Sequence, residues 1–89
     1  MITSTYVNLA ASALVKTGPG TLMGLILTAG ADTATVTIYD EVSGSGDVIA
    51  KLSATANVTV GPHIPPIAFG VGCYATITGT TPSITVFYI

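Results

Sequence analysis

The stretch Ala34-Thr-Val-Thr-Ile-Tyr-Asp40 decides the fold class of this chain. Val36 and Ile38 alternate with Thr35 and Thr37, so apolar and hydroxyl side chains point to opposite sides of an extended backbone. Such strict alternation is typical of a β-strand with one buried face and one face that can meet water. The segment therefore predicts a half-buried strand of an antiparallel sheet.

The sequence on both sides of this strand repeats the same organisation. Short runs rich in valine, isoleucine, threonine and tyrosine alternate with turn signals built from ten glycines and five prolines, a pattern that favours strands over helices. We expect one domain over residues 1–89, an all-β antiparallel sandwich of jelly-roll or immunoglobulin-like type with about seven or eight strands. Residues 8–15, with Asn8 as an N-cap, are the one alternative helix. The expected strands are residues 2–7, 13–17, 21–28, 34–40, 48–53, 57–60 or 63–68, 73–78 and 83–89.

Two of the expected strands are apolar on both faces. In residues 21–28, Leu22 and Ile26 fall on one face and three further apolar residues fall on the other, and residues 83–89 show the same pattern. Each sheet of a sandwich has only one inner face, so a second apolar face needs cover from another chain, from a long loop or from the N-terminal segment. We expect another chain to cover it, and thus an interface formed by Met23, Leu25, Leu27, Phe87 and Ile89.

The composition excludes several classes of function. Six of the 89 residues are charged, or 7%, whereas an ordinary soluble domain carries about 25%. Two lysines cannot neutralise a nucleic-acid backbone. The longest strongly apolar run, residues 22–27, is far shorter than the about 20 residues of a membrane-spanning helix, and no Lys or Arg precedes residues 9–15 to form a signal peptide. We therefore expect neither a nucleic-acid nor a membrane partner.

Few residues could carry chemistry. Cys73 and His63 could pair as thiolate and base, but Cys73 opens a β-run and no Asp or Asn lies near either residue to orient the imidazole. A buried, inert thiol and a surface histidine are the expectation. Asp40, Glu41 and Asp47 flank a Ser-Gly loop, yet three carboxylates fall short of the six to eight oxygens that calcium takes. We predict no catalytic residue, no metal site and no cofactor.

Five segments show a common pattern of short strands joined by turns. They are residues 14–27, Ala34-Thr-Val-Thr-Ile-Tyr-Asp40, Val48-Ile-Ala-Lys-Leu52, Phe69-Gly-Val-Gly-Cys-Tyr74 and Thr81-Pro-Ser-Ile-Thr-Val-Phe-Tyr88. Together they resemble the small β-rich virion proteins of tailed bacteriophages. The resemblance implies a non-enzymatic head-decoration, or cement, protein that binds the outer capsid surface and clamps neighbouring coat subunits. It also implies two partners, the major capsid protein and copies of itself in a homotrimer, and a place on the virion exterior after assembly in the host cytoplasm. It transfers no binding residue.

Two other functions are weighed against this one. A receptor- or carbohydrate-binding module of a phage fibre, tail or collar would need exposed aromatic platforms, and the four tyrosines are the candidates: Tyr6, Tyr39, Tyr74 and Tyr88. Exposed tyrosines clustered in a cleft would favour sugar binding, whereas strands that are apolar on both faces favour assembly. A small hydrolase is disfavoured because nucleophiles and bases are so few.

Overall fold

The computed structural model describes residues 4–61 and 65–89 of the chain. These residues form nine β-strands in two antiparallel sheets, and no helix occurs among them. The all-β antiparallel sandwich is therefore confirmed, and the alternative helix over residues 8–15 is wrong because this segment ends one strand and begins the next. The strands are β1 (Thr5–Leu9), β2 (Ala13–Thr17), β3 (Gly20–Thr28), β4 (Ala34–Tyr39), β5 (Val48–Ala54), β6 (Thr59–Val60), β7 (Ile67–Phe69), β8 (Gly72–Thr78) and β9 (Ser83–Tyr88).

The strand order distinguishes between the two expected sandwich types. One sheet, called the β1 sheet, has the order β1, β9, β3, and β6 and β7 both pair with β3 on its remaining side. The other, called the β2 sheet, has the order β2, β8, β4, β5. If β6 and β7 count as one interrupted strand, the first strand pairs with the last, the second with the next to last, and so on inward. This nested pairing is the topology of a jelly roll.

The core lies between the two sheets and is apolar. The inward side chains of β4, Val36 and Ile38, and those of β9, Ile84 and Val86, belong to one core cluster, and all four are fully buried. Within residues 4–61 and 65–89, no polar or charged residue is buried. The alternation predicted for β4 is confirmed, since its threonines lie on the outer side and are half-buried. Burial of apolar area at about 25 cal/mol per Å² is thus the main force that holds the sheets together.

A β-bulge in β3 changes the faces that the sequence pattern predicts. Leu22 pairs with Tyr88 and Gly24 with Phe87, so Met23 is an extra residue on β3. An extra residue shifts every later side chain to the opposite face. After the bulge, Leu25 and Leu27 join Leu22 in the core, at 2% and 0% exposure, and Ile26 turns outward at 39% exposure. This placement removes Leu25 and Leu27 from the expected interface.

The prediction left open whether residues 57–60 or residues 63–68 form a strand. Both candidate segments contribute, since β6 (Thr59–Val60) pairs with the end of β3 and β7 (Ile67–Phe69) pairs with its beginning. Residues 62–64, which include His63, lie outside the described residues, as do residues 2 and 3 of the first expected strand.

Candidate interaction surface

The structure places no chemistry-bearing residues together in the part of the chain that it describes. Residues 4–61 and 65–89 form no pocket. No three His, Cys, Asp or Glu side chains of these residues lie close enough to hold a metal ion. No helix of the same residues is both long and apolar enough to cross a membrane.

Asp40 is a structural anchor. Its carboxylate accepts hydrogen bonds from the backbone amides of Val71 at 2.9 Å, Gly70 at 3.0 Å and Gly72 at 3.3 Å. The amides of Val71 and Gly70, followed by that of Gly72, lower the pKa of Asp40 because they stabilise the charged form. The carboxylate thus holds the turn that carries the chain from β7 in one sheet to β8 in the other.

Asp32 anchors the opposite end of the β4–β8 pair. It accepts hydrogen bonds from the backbone amide of Thr80 at 2.8 Å and from the hydroxyl of Thr80 at 2.9 Å. Thr80 lies in the turn between β8 and β9, which again connects the two sheets. Two of the four acidic residues are therefore used to fix corners of the fold.

Cys73 lies in the core and is fully buried. Burial, together with the smaller effect of the negative charge of Asp40, raises the pKa of its thiol to about 11. A thiol with such a pKa is protonated at neutral pH and is a poor nucleophile. The residue with which it was weighed as a catalytic pair, His63, lies outside the described residues.

The outer face of the β1 sheet combines aromatic and aliphatic side chains. Tyr6 of β1 is a cross-strand partner of Phe87 of β9, and Phe87 is a partner of Gly24 of β3. The rings of Tyr6 and Phe87 lie 6.5 Å apart at 49°. Tyr6 is 68% exposed and Ile26, on β3, 39%. We call this surface the neutral face; it consists of Tyr6, Asn8, Gly24, Ile26, Thr28, Thr59, Ser83, Thr85 and Phe87.

The polar side chains of the neutral face are uncharged and hydrogen-bonded to each other. The Asn8 amide donates to the Thr85 hydroxyl at 2.9 Å, and the hydroxyls of Thr28 and Thr59 lie 2.9 Å apart. No strand of the β1 sheet contains a charged residue. A partner that covers this face would not have to desolvate an ion, which is the most costly part of burying a polar surface.

The outer face of the β2 sheet differs from the neutral face in its edge strands, which carry both lysines. Tyr39 and Tyr74 are cross-strand partners there, beside two threonine pairs, and the row continues to the exposed Val48 and Leu14. The β4–β5 loop passes over this face at Gly44, where an added Cβ would lie 3.0 Å from the Thr76 hydroxyl and 3.4 Å from the Tyr74 ring. A loop therefore covers part of the β2 sheet, whereas the two strands predicted to be apolar on both faces, β3 and β9, lie in the β1 sheet. Tyr6 is on the other sheet and Tyr88 packs against the core, so the four tyrosines do not form one cleft.

The five residues predicted to form an interface do not lie on one surface. Leu25 and Leu27 lie in the core, Phe87 lies half-buried on the neutral face, and Met23 and Ile89 are half-buried. Ile89 extends β9 through backbone hydrogen bonds with Thr21. Neither Tyr6 nor Ile26 was predicted to lie in the interface, although Tyr6 was named as a candidate platform for a sugar. Gly24 was the available signal, because an isolated glycine within a strand often marks a bulge.

Comparison with known proteins adds no assignment. No protein family model, no curated protein and no solved structure matches this chain.

Proposed function

We propose that this chain is a non-enzymatic structural protein of a tailed-phage virion, of the head-decoration type, and that its neutral face docks on the outer surface of the capsid. The observation that carries the proposal is the neutral face itself, where Tyr6, Ile26 and Phe87 lie on a sheet whose strands contain no charge. The phage assignment rests on the resemblance of the segments quoted above. Jelly rolls occur in viral capsid proteins and in lectins, so the fold agrees with the proposal without selecting it.

The size of the molecule is sufficient for such a contact. The described residues extend 34 × 30 × 17 Å, so a sheet face of this flat molecule offers up to about 1,000 Å², while a stable interface buries about 800 Å² per partner. Because the face is uncharged, we expect attachment to depend little on ionic strength. Release of the chain by moderate NaCl alone would contradict docking through the neutral face.

The proposal is tested on particles purified from cells that express the gene in its native genomic context. We expect the chain to sediment with intact particles and to occupy regular positions on the capsid in electron cryomicroscopy images. Ile26→Asp should reduce the particle-bound copies about tenfold or more, because docking would bury an unpaired carboxylate. Ser53→Asp, on the outer side of the β2 sheet, is the matched control and should bind normally. If particles from cells that express the wild-type chain contain no copy of it, the proposal is overturned.

The carbohydrate-binding alternative is favoured by one observation, the exposed Tyr6 ring beside the Asn8 amide on a flat surface. Aromatic rings with a polar neighbour are suited to contacts that need both an apolar surface and hydrogen bonds. Location of the chain at a tail or fibre, together with saturable binding on a glycan array that Tyr6→Ala abolishes, would support this second function over capsid decoration.

A further inference from the structure

The four edges of the two sheets differ in how they are protected. An exposed edge strand can pair with another chain, and folded proteins prevent this with charged residues, bulges, prolines and very short strands. β2 contains Lys16 and an extra residue at Val15. β5 contains Lys51 and an extra residue at Ile49. The edge formed by β6 and β7 consists of strands of two and three residues, and Pro65 directly precedes Pro66 before β7.

β1 has none of these features. Its five residues pair with β9 in an uninterrupted register from Thr5 to Leu9, and they include no charge, no proline and no bulge. Within residues 4–61 and 65–89, β9 is its only neighbour. The inward side chains Val7 and Leu9 are half-buried at the margin of the core. Thus, among the residues that the structure describes, the β1 edge has backbone groups without a neighbouring strand, half-buried apolar side chains and none of the features that prevent pairing.

We propose that β1 pairs antiparallel with β1 of a second copy of this chain across a twofold axis, so that two β1 sheets become one continuous sheet. A register centred on Val7 uses all five residues. It places Thr5 opposite Leu9 of the partner subunit and Tyr6 opposite Asn8 of the partner subunit. Val7 then meets Val7 of the partner subunit, which extends the apolar margin of each core across the contact.

The features of the other edges and the placement of the charges favour a second copy of this chain as the partner. The other three edges of the described residues are protected, so two copies of this chain would pair through their β1 edges, and such a contact is twofold symmetric and closed. Both lysines lie on the β2 sheet and the four acidic residues lie in loops, so pairing at β1 brings no charged side chains of the strands together. The inference concerns self-association alone and stands whether or not the chain attaches to a capsid.

The mass in solution tests the pairing. Light scattering at concentrations up to about 100 μM, a range chosen because a contact of this size is weak, should show wild-type chain at twice its 8.9 kDa. Thr5→Lys adds a charge to the edge but lies outside the neutral face, and we expect the monomer mass with an unchanged circular dichroism spectrum. Ile26→Lys alters the neutral face two strands from the edge and should remain dimeric. A monomeric wild type, a mass of three copies, or dissociation by Ile26→Lys but not by Thr5→Lys would overturn the proposal.

Oxidative cross-linking tests the register without relying on the lysine variant. Val7→Cys should form a disulfide-linked dimer, because residues directly opposite each other in an antiparallel pair have Cβ atoms about 5 Å apart. Thr5→Cys is the matched control and should not cross-link, since it is four residues from its own counterpart in this register. Wild-type chain should also stay uncross-linked, because Cys73 is buried. Cross-linking of neither variant, or of Thr5→Cys alone, would overturn the twofold pairing. A chain that dimerises but is absent from particles would leave this inference intact and remove the proposed function.

Discussion

The β1 sheet and the β2 sheet are alike on the inside and different on the outside. Both present alternating aliphatic side chains to the same core. The β2 sheet has both lysines on its edge strands, bulges in both of those strands and a loop over part of its outer face. The β1 sheet has no charged residue, exposed Tyr6 and Ile26, and one regular edge. The two sheets thus differ in the charge and the edge protection of their strands, while the β2 sheet also exposes two apolar side chains, Leu14 and Val48.

The largest expected effect on stability comes from comparing a substitution on the inner side of β3 with one on its outer side. Leu27→Ala removes a fully buried side chain and should lower the free energy of unfolding by about 2–5 kcal/mol. Ile26→Ala, one residue earlier, should change it by about 1 kcal/mol or less, because Ile26 is 39% exposed. Urea denaturation measures both. Equal losses for the two variants would mean that the bulge at Met23 does not set the faces of this strand.

A smaller effect is expected from two glycines on the same strand. A Cβ at Gly20 would lie 2.7 Å from the Phe69 ring and 2.5 Å from the carbonyl oxygen of Ile89, so Gly20→Ala should destabilise the fold by about 1–3 kcal/mol through overpacking. At Gly24 the nearest atom, in the Phe87 ring, is 3.5 Å away. Gly24→Ala should therefore be neutral or stabilising by up to about 1 kcal/mol. Thermal unfolding compares the two, and a destabilised Gly24→Ala would contradict the packing described for the neutral face.

The smallest effect concerns the corner that joins the two sheets at Asp40. Because the folded state lowers the pKa of Asp40 below its usual 3.8, this carboxylate stabilises the fold above that pH, and the contribution is lost as the pH falls through the lower folded value. Asp40→Asn should be less stable than wild type at pH 7, and the difference should shrink as the medium becomes acidic. Asp47→Asn is the control, since Asp47 is exposed. Urea midpoints from pH 7 to pH 2 measure this, and a difference independent of pH would contradict the role of the charge.

Much of the fold could be predicted because its signals are local. The alternation in β4 and the turn residues between strands were sufficient for an all-β sandwich and for most strand positions. The interface prediction failed at Leu25 and Leu27 because strict alternation assumes a regular strand. One extra residue, Met23, reverses the faces, and whether a glycine-containing strand bulges depends on its neighbours β7 and β9. Tyr6 was considered only as a sugar platform because its strand partner, Phe87, is 81 positions away in the chain.

By itself the sequence determined the class of structure and the scarcity of chemistry: strands in place of helices, very few charges, one cysteine and one histidine. These are properties of single residues and their immediate spacing, which need no knowledge of the fold. Only the tertiary structure decided which strands form edges, which edge lacks protection, and which apolar residues reach the surface. Those properties depend on pairing between distant segments, such as β1 with β9, and no local pattern encodes which distant segment will be the neighbour.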